Sequence, residues 1–207
     1  MKLSRDLTSL DALARMGTAT ICEVAQGGVS ILDPALRPLA PGLAAAGTAY
    51  TVQVRPGDNL AIHHAIADLQ PGDMLVVDYG QSLATGPVGE IMALAAQTRG
   101  ATGMIIDGAV RDSAQIVGLG FAVWCRGLAI PGTIKVDRGV HKQGCTLSGV
   151  VVNQGDVIVA DQDAVVVLRP DQVNEVLTKG AERVAREDEM MVRIRAGEST
   201  LRILGLE

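Results

Sequence analysis

The chain has 207 residues, 48% of them hydrophobic but only 2% aromatic, with a formal net charge of −5. This is enough for one domain with a large aliphatic core. The acidic balance, with no basic, aromatic-studded run, excludes sequence-independent nucleic-acid binding, which needs a basic face. Cys22, Cys125 and Cys145 form no CxxC pair and read as apolar thiols in a reducing compartment. Charges at Lys2, Arg5 and Asp6 with no apolar run beside them argue against a signal peptide, and no apolar run is long enough to span a membrane. A cytoplasmic protein is expected.

In chain order, Leu7, Leu10, Leu13 and Ala14 recur at helical spacing within residues 6–16. Residues 18–26 form a second short helix ended by Gly27-Gly28, and Glu23 lies on it, either as a surface acid or pointing into a cleft. Residues 33–47 are rich in Pro, Ala and Gly and read as an irregular connection, and residues 47–55 alternate as a strand. Asp58, after Pro56-Gly57, can cap a helix at 59–69. Asn59 and His63 are four apart on it and share a face; spacing alone reads them as surface polar residues, with His64 facing elsewhere. A buried strand at 74–79 follows Pro71-Gly72-Asp73, and the loop 80–89 is rich in glycine. Helix 89–99, strand 103–107, a short helix and strand 121–125 come next. Residues 129–139 are loop-like, and 144–168 are short Val-rich strands. Gly72-Asp73 and Gly155-Asp156 open similar phrases, which reads as one turn-to-strand device used twice. Pro170 and Asp171 open a long charged helix to about Ala196.

The pattern is α/β, with layers of sheet and helix: one unit over 1–170 and a helical extension over 171–207. No GxGxxG follows the first strand and no GxxxxGK[ST] occurs, so a nucleotide fold is not expected.

The chemistry concentrates between Gly86 and Asp112. Gly86-Pro87-Val88-Gly89 opens a helix whose free first amides suit a small anion. The strand Ile105-Ile106-Asp107 leads through Gly108 to Arg111-Asp112. Arg111 supplies a permanent planar cation that fits a carboxylate, and Asp112 a hard oxygen ligand of the kind Mg²⁺ or Mn²⁺ takes. These parts suit a 2-oxo acid and its enolate. No lysine lies in this motif, which makes a Schiff-base route less attractive.

Glu90, twenty intervening residues, then Arg111-Asp112 resembles the acidic-x20-Arg-Asp signature of the class II pyruvate aldolases that cleave 4-hydroxy-4-methyl-2-oxoglutarate and 4-carboxy-4-hydroxy-2-oxoadipate, grouped with the RraA-like proteins. Thr18-Ala19-Thr20 through Glu23, Pro56-Gly57-Asp58-Asn59-Leu60 and Gly155 to Asp161 extend the resemblance over most of the chain. It implies a swivelling β/β/α domain, a homotrimer or hexamer with sites between subunits, and a C-terminal helix reaching a neighbour. It implies that Asp112 binds Mg²⁺ or Mn²⁺ directly, that Glu90 holds metal waters, and that Glu187 (with Asp188 or Glu189 as alternatives) does so from a neighbouring subunit. Arg111 would sit beside the enolate oxygen, the backbone amides over Gly89, Glu90, Ile91 and Met92 would take the substrate carboxylate, and Glu23, Asn59 and His63 would lie near the site. The implied activities are cleavage to pyruvate and oxaloacetate decarboxylation. Many such aldolases have Asp where this chain has Glu90, a change that moves the carboxylate by roughly one bond length. The alternative is a non-catalytic regulator of ribonuclease E, whose members tend to lack the acid after the arginine; here Asp112 is present. A menaquinone methyltransferase label carried by some relatives has no glycine-rich S-adenosylmethionine loop here to support it.

Overall fold

The structure, a computed structural model, describes residues 6–207, so the charges at Lys2 and Arg5 lie outside the described residues. Asp6 caps the first helix, α1 (Leu7–Met16), through the amides of Thr8 and Ser9. Helix α2 (Thr18–Val24) starts at Gly17, which has no side chain to cap it. Asp161 supplies the cap from far along the chain, its two oxygens accepting from the Thr18 amide (2.7 Å) and hydroxyl (2.8 Å).

Two short strands, β1 (Val29–Ile31) and β2 (Arg37–Pro38), interrupt a stretch that reads as irregular in the sequence. The core strand β3 (Ala45–Gln53) leads through α3 (Leu60–Asp68) to β4 (Asp73–Asp78). Helix α4 (Glu90–Thr98), β5 (Gly103–Val110), α5 (Ser113–Gly118) and β6 (Val123–Leu128) repeat the unit. Strands β3 to β6 are parallel neighbours in sequence order, as strand–helix–strand crossovers require. Strands β10 (Val157–Ala160) and β11 (Val165–Leu168) extend the sheet antiparallel beyond β3, with β1 at that edge and β2 at the other. A small strand, β7 (Val140–His141), pairs with the end of β3. Strands β8 (Cys145–Leu147) and β9 (Val150–Val152) make a separate hairpin.

Side-chain alternation along β3 defines the layers. Tyr50 and Val52 join the core under α3 and α4, and Ala46 joins the core under α1 and α2. Ala45 and Ala49 point the other way, into a core shared with Cys145, Leu147 and Val152 of the hairpin. The order is therefore small sheet, large sheet, helices, which is the β/β/α layering expected.

Strand β5 corrects one expectation. It does not end at Asp107-Gly108 but continues to Val110 through a register shift between Ile106 and Ala109. Gly108 permits this because the bulge presses on the preceding loop: a Cβ there would lie 2.8 Å from a Tyr79 ring carbon and 3.0 Å from the Ser82 carbonyl. Arg126 braces the bulge by pairing with Asp107 and, at 3.0 Å, with Asp33.

The last helix, α6 (Val173–Arg195), buries only Val173, Val176 and Gly180. Its distal half and α7 (Thr200–Ile203) leave Val184, Met191, Ile194 and Leu201 exposed. Among the described residues no helix is long and apolar enough to cross a membrane.

Candidate functional site

The turn after β5, the loop between β4 and α4, and the N-termini of α3 and α4 converge on a cleft of about 280 Å³. Asn59, His63, Gly89, Ile91, Met92, Arg111 and Asp112 all line it. The structure thus gathers most of the residues that the sequence singled out. Helix α3 brings Asn59 and His63 on one face, α4 brings Ile91 and Met92, and the β5 end brings the Arg-Asp pair.

Asp112 stands at the N-cap of α5 but makes no side-chain cap there. Its backbone is left-handed (φ 54°, ψ 39°), a conformation aspartate tolerates better than most residues and one common at functional sites. The carboxylate turns instead to α4, where Oδ2 accepts the Glu90 amide at 3.3 Å and lies 3.7 Å from Arg111 Nε. One of the amides expected to receive a substrate carboxylate is therefore engaged by Asp112. Gly89 makes this approach possible, since a Cβ on it would fall 2.3 Å from Asp112 Oδ2 and 3.2 Å from Arg111 Nε.

Asn59 corrects its reading as a surface residue. It is 6% exposed, and its Nδ2 donates to the Pro87 carbonyl at 2.8 Å. That bond fixes the amide's orientation and leaves Oδ1 buried with no hydrogen-bond partner. His63 is half-buried in the same wall; burial, then the charge of Lys135 and then His64, hold its imidazole below the ordinary range. His64 faces away, toward His141, as its spacing implies.

The sequence reading missed Thr133 and Lys135, which also line the cleft. They sit on the irregular segment before β7. The available signal was that Lys135 is the sole charged residue in 127–136. A lysine is thus in the cleft, although none is in the central motif.

Three candidate carboxylates stand differently. Glu90 is exposed at the first turn of α4 and is not part of the cleft lining. Glu23 and Glu187 both pair with Arg183, at 3.2 and 2.8 Å, where α2 meets α6. Neither lines the cleft of its own chain; of the two readings of Glu23, a surface acid is the one its exposed pairing with Arg183 matches in a single chain.

Among the described residues no group of three His, Cys, Asp or Glu is arranged to hold a metal ion. Among the described residues Asp112 is the one carboxylate lining the cleft, its Oδ2 turned to the Glu90 amide and Arg111, with the exposed Glu90 nearby. This does not suit a caged ion such as zinc. It suits Mg²⁺ or Mn²⁺, which accept one or two carboxylates and keep most of their waters.

A family profile described as RraA-like, Aldolase/RraA, matches residues 18–167. A protein of Halalkalibacterium halodurans, provisionally named a 4-hydroxy-4-methyl-2-oxoglutarate aldolase, is 34% identical over 161 residues, covering 78% of this chain and 77% of its own. Among solved structures, Streptomyces coelicolor RraAS2, described as an unusual member of the RNase ES inhibitor RraA family, is 26% identical with a TM-score of 0.79, covering 90% of this chain and 96% of its own. A Geobacillus kaustophilus protein, described as an S-adenosylmethionine: 2-dimethylmenaquinone methyltransferase, is 28% identical with a TM-score of 0.70, covering 74% of this chain and 94% of its own.

Proposed function

The chain belongs to the RraA-like family, and from that premise we propose that it is a divalent-metal-dependent lyase cleaving 4-hydroxy-2-oxo acids of the 4-hydroxy-4-methyl-2-oxoglutarate type to pyruvate, with oxaloacetate decarboxylase activity. The observation that carries this reading is the buried, unpartnered Asn59 oxygen in a cleft that also holds two cations, Arg111 and Lys135. A buried acceptor without a donor costs about 1–3 kcal/mol. A ligand hydroxyl would relieve that cost, while the cations suit a ligand with two carboxylates.

Asp112 directly, and Glu90 through water, would hold Mg²⁺ or Mn²⁺. When bound, the ion supplies Lewis acidity that draws charge from the keto oxygen. The chain's own residues do the rest. Arg111 faces the 2-oxo end and neutralises charge as the C3–C4 electron pair moves into the enolate, a donor role worth about 3–4 kcal/mol when preorganised. Asn59 Oδ1 accepts from the C4 hydroxyl and orients it. His63, neutral at pH 7 because its pKa is lowered, keeps a lone pair for that proton as the C4 carbonyl forms. Protonation at C3 then gives pyruvate. Decarboxylation of oxaloacetate yields the same enolate and CO₂ without a hydroxyl proton to move, so it needs Arg111 but not Asn59.

We further propose that three copies, or two such trimers, assemble, with Glu187 reaching a neighbour's site. The exposure of Ile91 (81%) and Ile130 (88%) near the Arg-Asp pair supports a partner surface there. A solution mass equal to one 21.5 kDa chain would remove that support. The same apolar rim also favours a second reading, a regulator that docks another protein.

A lactate-dehydrogenase-coupled assay tests the proposal. Wild type should release pyruvate from both substrates with Mg²⁺ and not with a chelator. Asn59→Leu should lose about 10- to 100-fold in kcat/KM for the hydroxy acid, the equivalent of one unpaired buried group, while oxaloacetate turnover stays within about threefold. Absence of pyruvate from either substrate favours the regulator.

A further inference from the structure

The segment that brings Thr133 and Lys135 to the cleft has no hydrophobic anchor: from Arg126 to Gln143 not one residue is buried. Its position therefore rests on polar contacts: backbone bonds at its ends, Gly86 N–H to the Pro131 carbonyl (2.9 Å) and the pairing of β7 with β3, and, beside Lys135, those made to one side chain. Asp58 is 1% exposed and directly precedes Asn59, which lines the same cleft. Its Oδ1 accepts the Leu60 amide at 2.9 Å, capping α3. Its Oδ2 accepts the Val136 and Asp137 amides at 2.8 and 3.0 Å. The backbones on either side are also tied, Asn59 N–H to the Ile134 carbonyl (3.1 Å) and Ile134 N–H to the Gly57 carbonyl (2.9 Å). One carboxylate thus grips both the helix that carries Asn59 and His63 and the loop that carries Lys135.

We infer that Asp58 is a positioning residue that sets the distance between Lys135 and the α3 wall, and thereby the length of dicarboxylate the cleft accepts. This rests on the reading of the cleft as a 2-oxo acid site. Burial would push the Asp58 carboxyl up, but the amide bonds from Leu60, Asp137 and Val136 outweigh it and hold it below the usual range, so the hook is ionised at neutral pH. An ionised carboxylate can take all three amide hydrogens. An amide in its place presents at least one N–H to another N–H.

The test compares wild type, Asp58→Asn, Lys135→Ala and the double variant, all with Mg²⁺. Two probes are used: oxalate, which is too short to reach beyond Arg111, and 2-oxoglutarate, whose distal carboxylate extends further. In Asp58→Asn the Val136 and Asp137 amides should exchange with deuterium at least tenfold faster, with β4 and β5 unchanged. 2-Oxoglutarate should weaken about tenfold and oxalate by less than twofold. The double variant should bind 2-oxoglutarate no more weakly than Lys135→Ala, because Asp58 acts through that lysine. Val136→Pro, which removes one of the gripped N–H groups at an exposed residue, should reproduce the probe pattern should Asp58→Asn not fold. Equal weakening of both probes, or unchanged exchange at Val136 and Asp137, overturns the inference. A wild type that binds neither probe overturns the 2-oxo acid reading, and the exchange result then decides alone whether Asp58 holds the loop.

Discussion

Gly89 has an extended backbone (φ −135°) that any residue can adopt, so its role is one of space rather than conformation. The space it leaves is filled by the Asp112 carboxylate. Gly89→Ala should therefore leave the thermal midpoint nearly unchanged while displacing Asp112 by about 1 Å, which at a reacting centre costs about a hundredfold in kcat/KM. Wild-type turnover in that variant would show that the carboxylate need not sit at the α4 N-terminus. The residues of the Arg-Asp motif were legible in the sequence because their chemistry is local: an arginine, a hard oxygen and a glycine-opened helix stand close together along the chain. Lys135 was not, because nothing within its own segment fixes its direction; that comes from Asp58, 77 positions earlier. Asn59 was read from spacing as a surface polar residue for a related reason. Helical periodicity names a face but not what covers it, and Pro87 and Met92 cover this one.

At the scale of elements, the two Gly-Asp phrases do share one device. Gly72 and Gly155 both take a left-handed backbone (φ 86° and 90°). The aspartate after each accepts an amide three residues back, Gln70 N–H to Asp73 and Asn153 N–H to Asp156, at 2.9 and 2.8 Å. A strand follows each turn, β4 in one case and β10 in the other. Asp156→Ala removes its bonds to the Asn153 amide and side chain and should cost about 1–3 kcal/mol. In a chain of this length that lowers the melting temperature by roughly 2–4 °C per kcal/mol, readable by calorimetry; an unchanged midpoint would mean the turn forms without its aspartate. This device was legible because four consecutive residues contain it. Strands β1 and β2 were not, since three and two residues carry no periodicity and exist only through pairing with β11 and β6. The extension of β5 was hidden for the same reason, because Gly108 signals a stop until Tyr79 and Ser82 are placed against it.

Across the whole molecule, helices α3 to α5 line one face of a sheet, and the loops that follow its parallel strands carry the cleft residues, as ligand sites in open α/β sheets commonly are placed. The hairpin on the other face buries the sheet without touching that cleft. Helix α6 spends its first half on this core and carries an exposed apolar stripe beyond it, with Arg183 holding Glu23 and Glu187 together at the junction. In the proposed trimer a neighbour would cover that stripe and receive Glu187, which stands outside the cleft of its own chain. The α/β layering followed from the order of strands and helices and the β/β/α arrangement from the family resemblance, whereas a site shared between subunits would leave no trace in local spacing. The proposed catalysis depends most on Arg111 and Asp112 acting together on one enolate. Its most direct measurement is pyruvate release from 4-hydroxy-4-methyl-2-oxoglutarate and oxaloacetate by Arg111→Ala and Asp112→Asn, with folding checked by circular dichroism. The expected result is loss of at least about a hundredfold for both substrates in both folded variants; turnover near the wild-type rate in either one would contradict it.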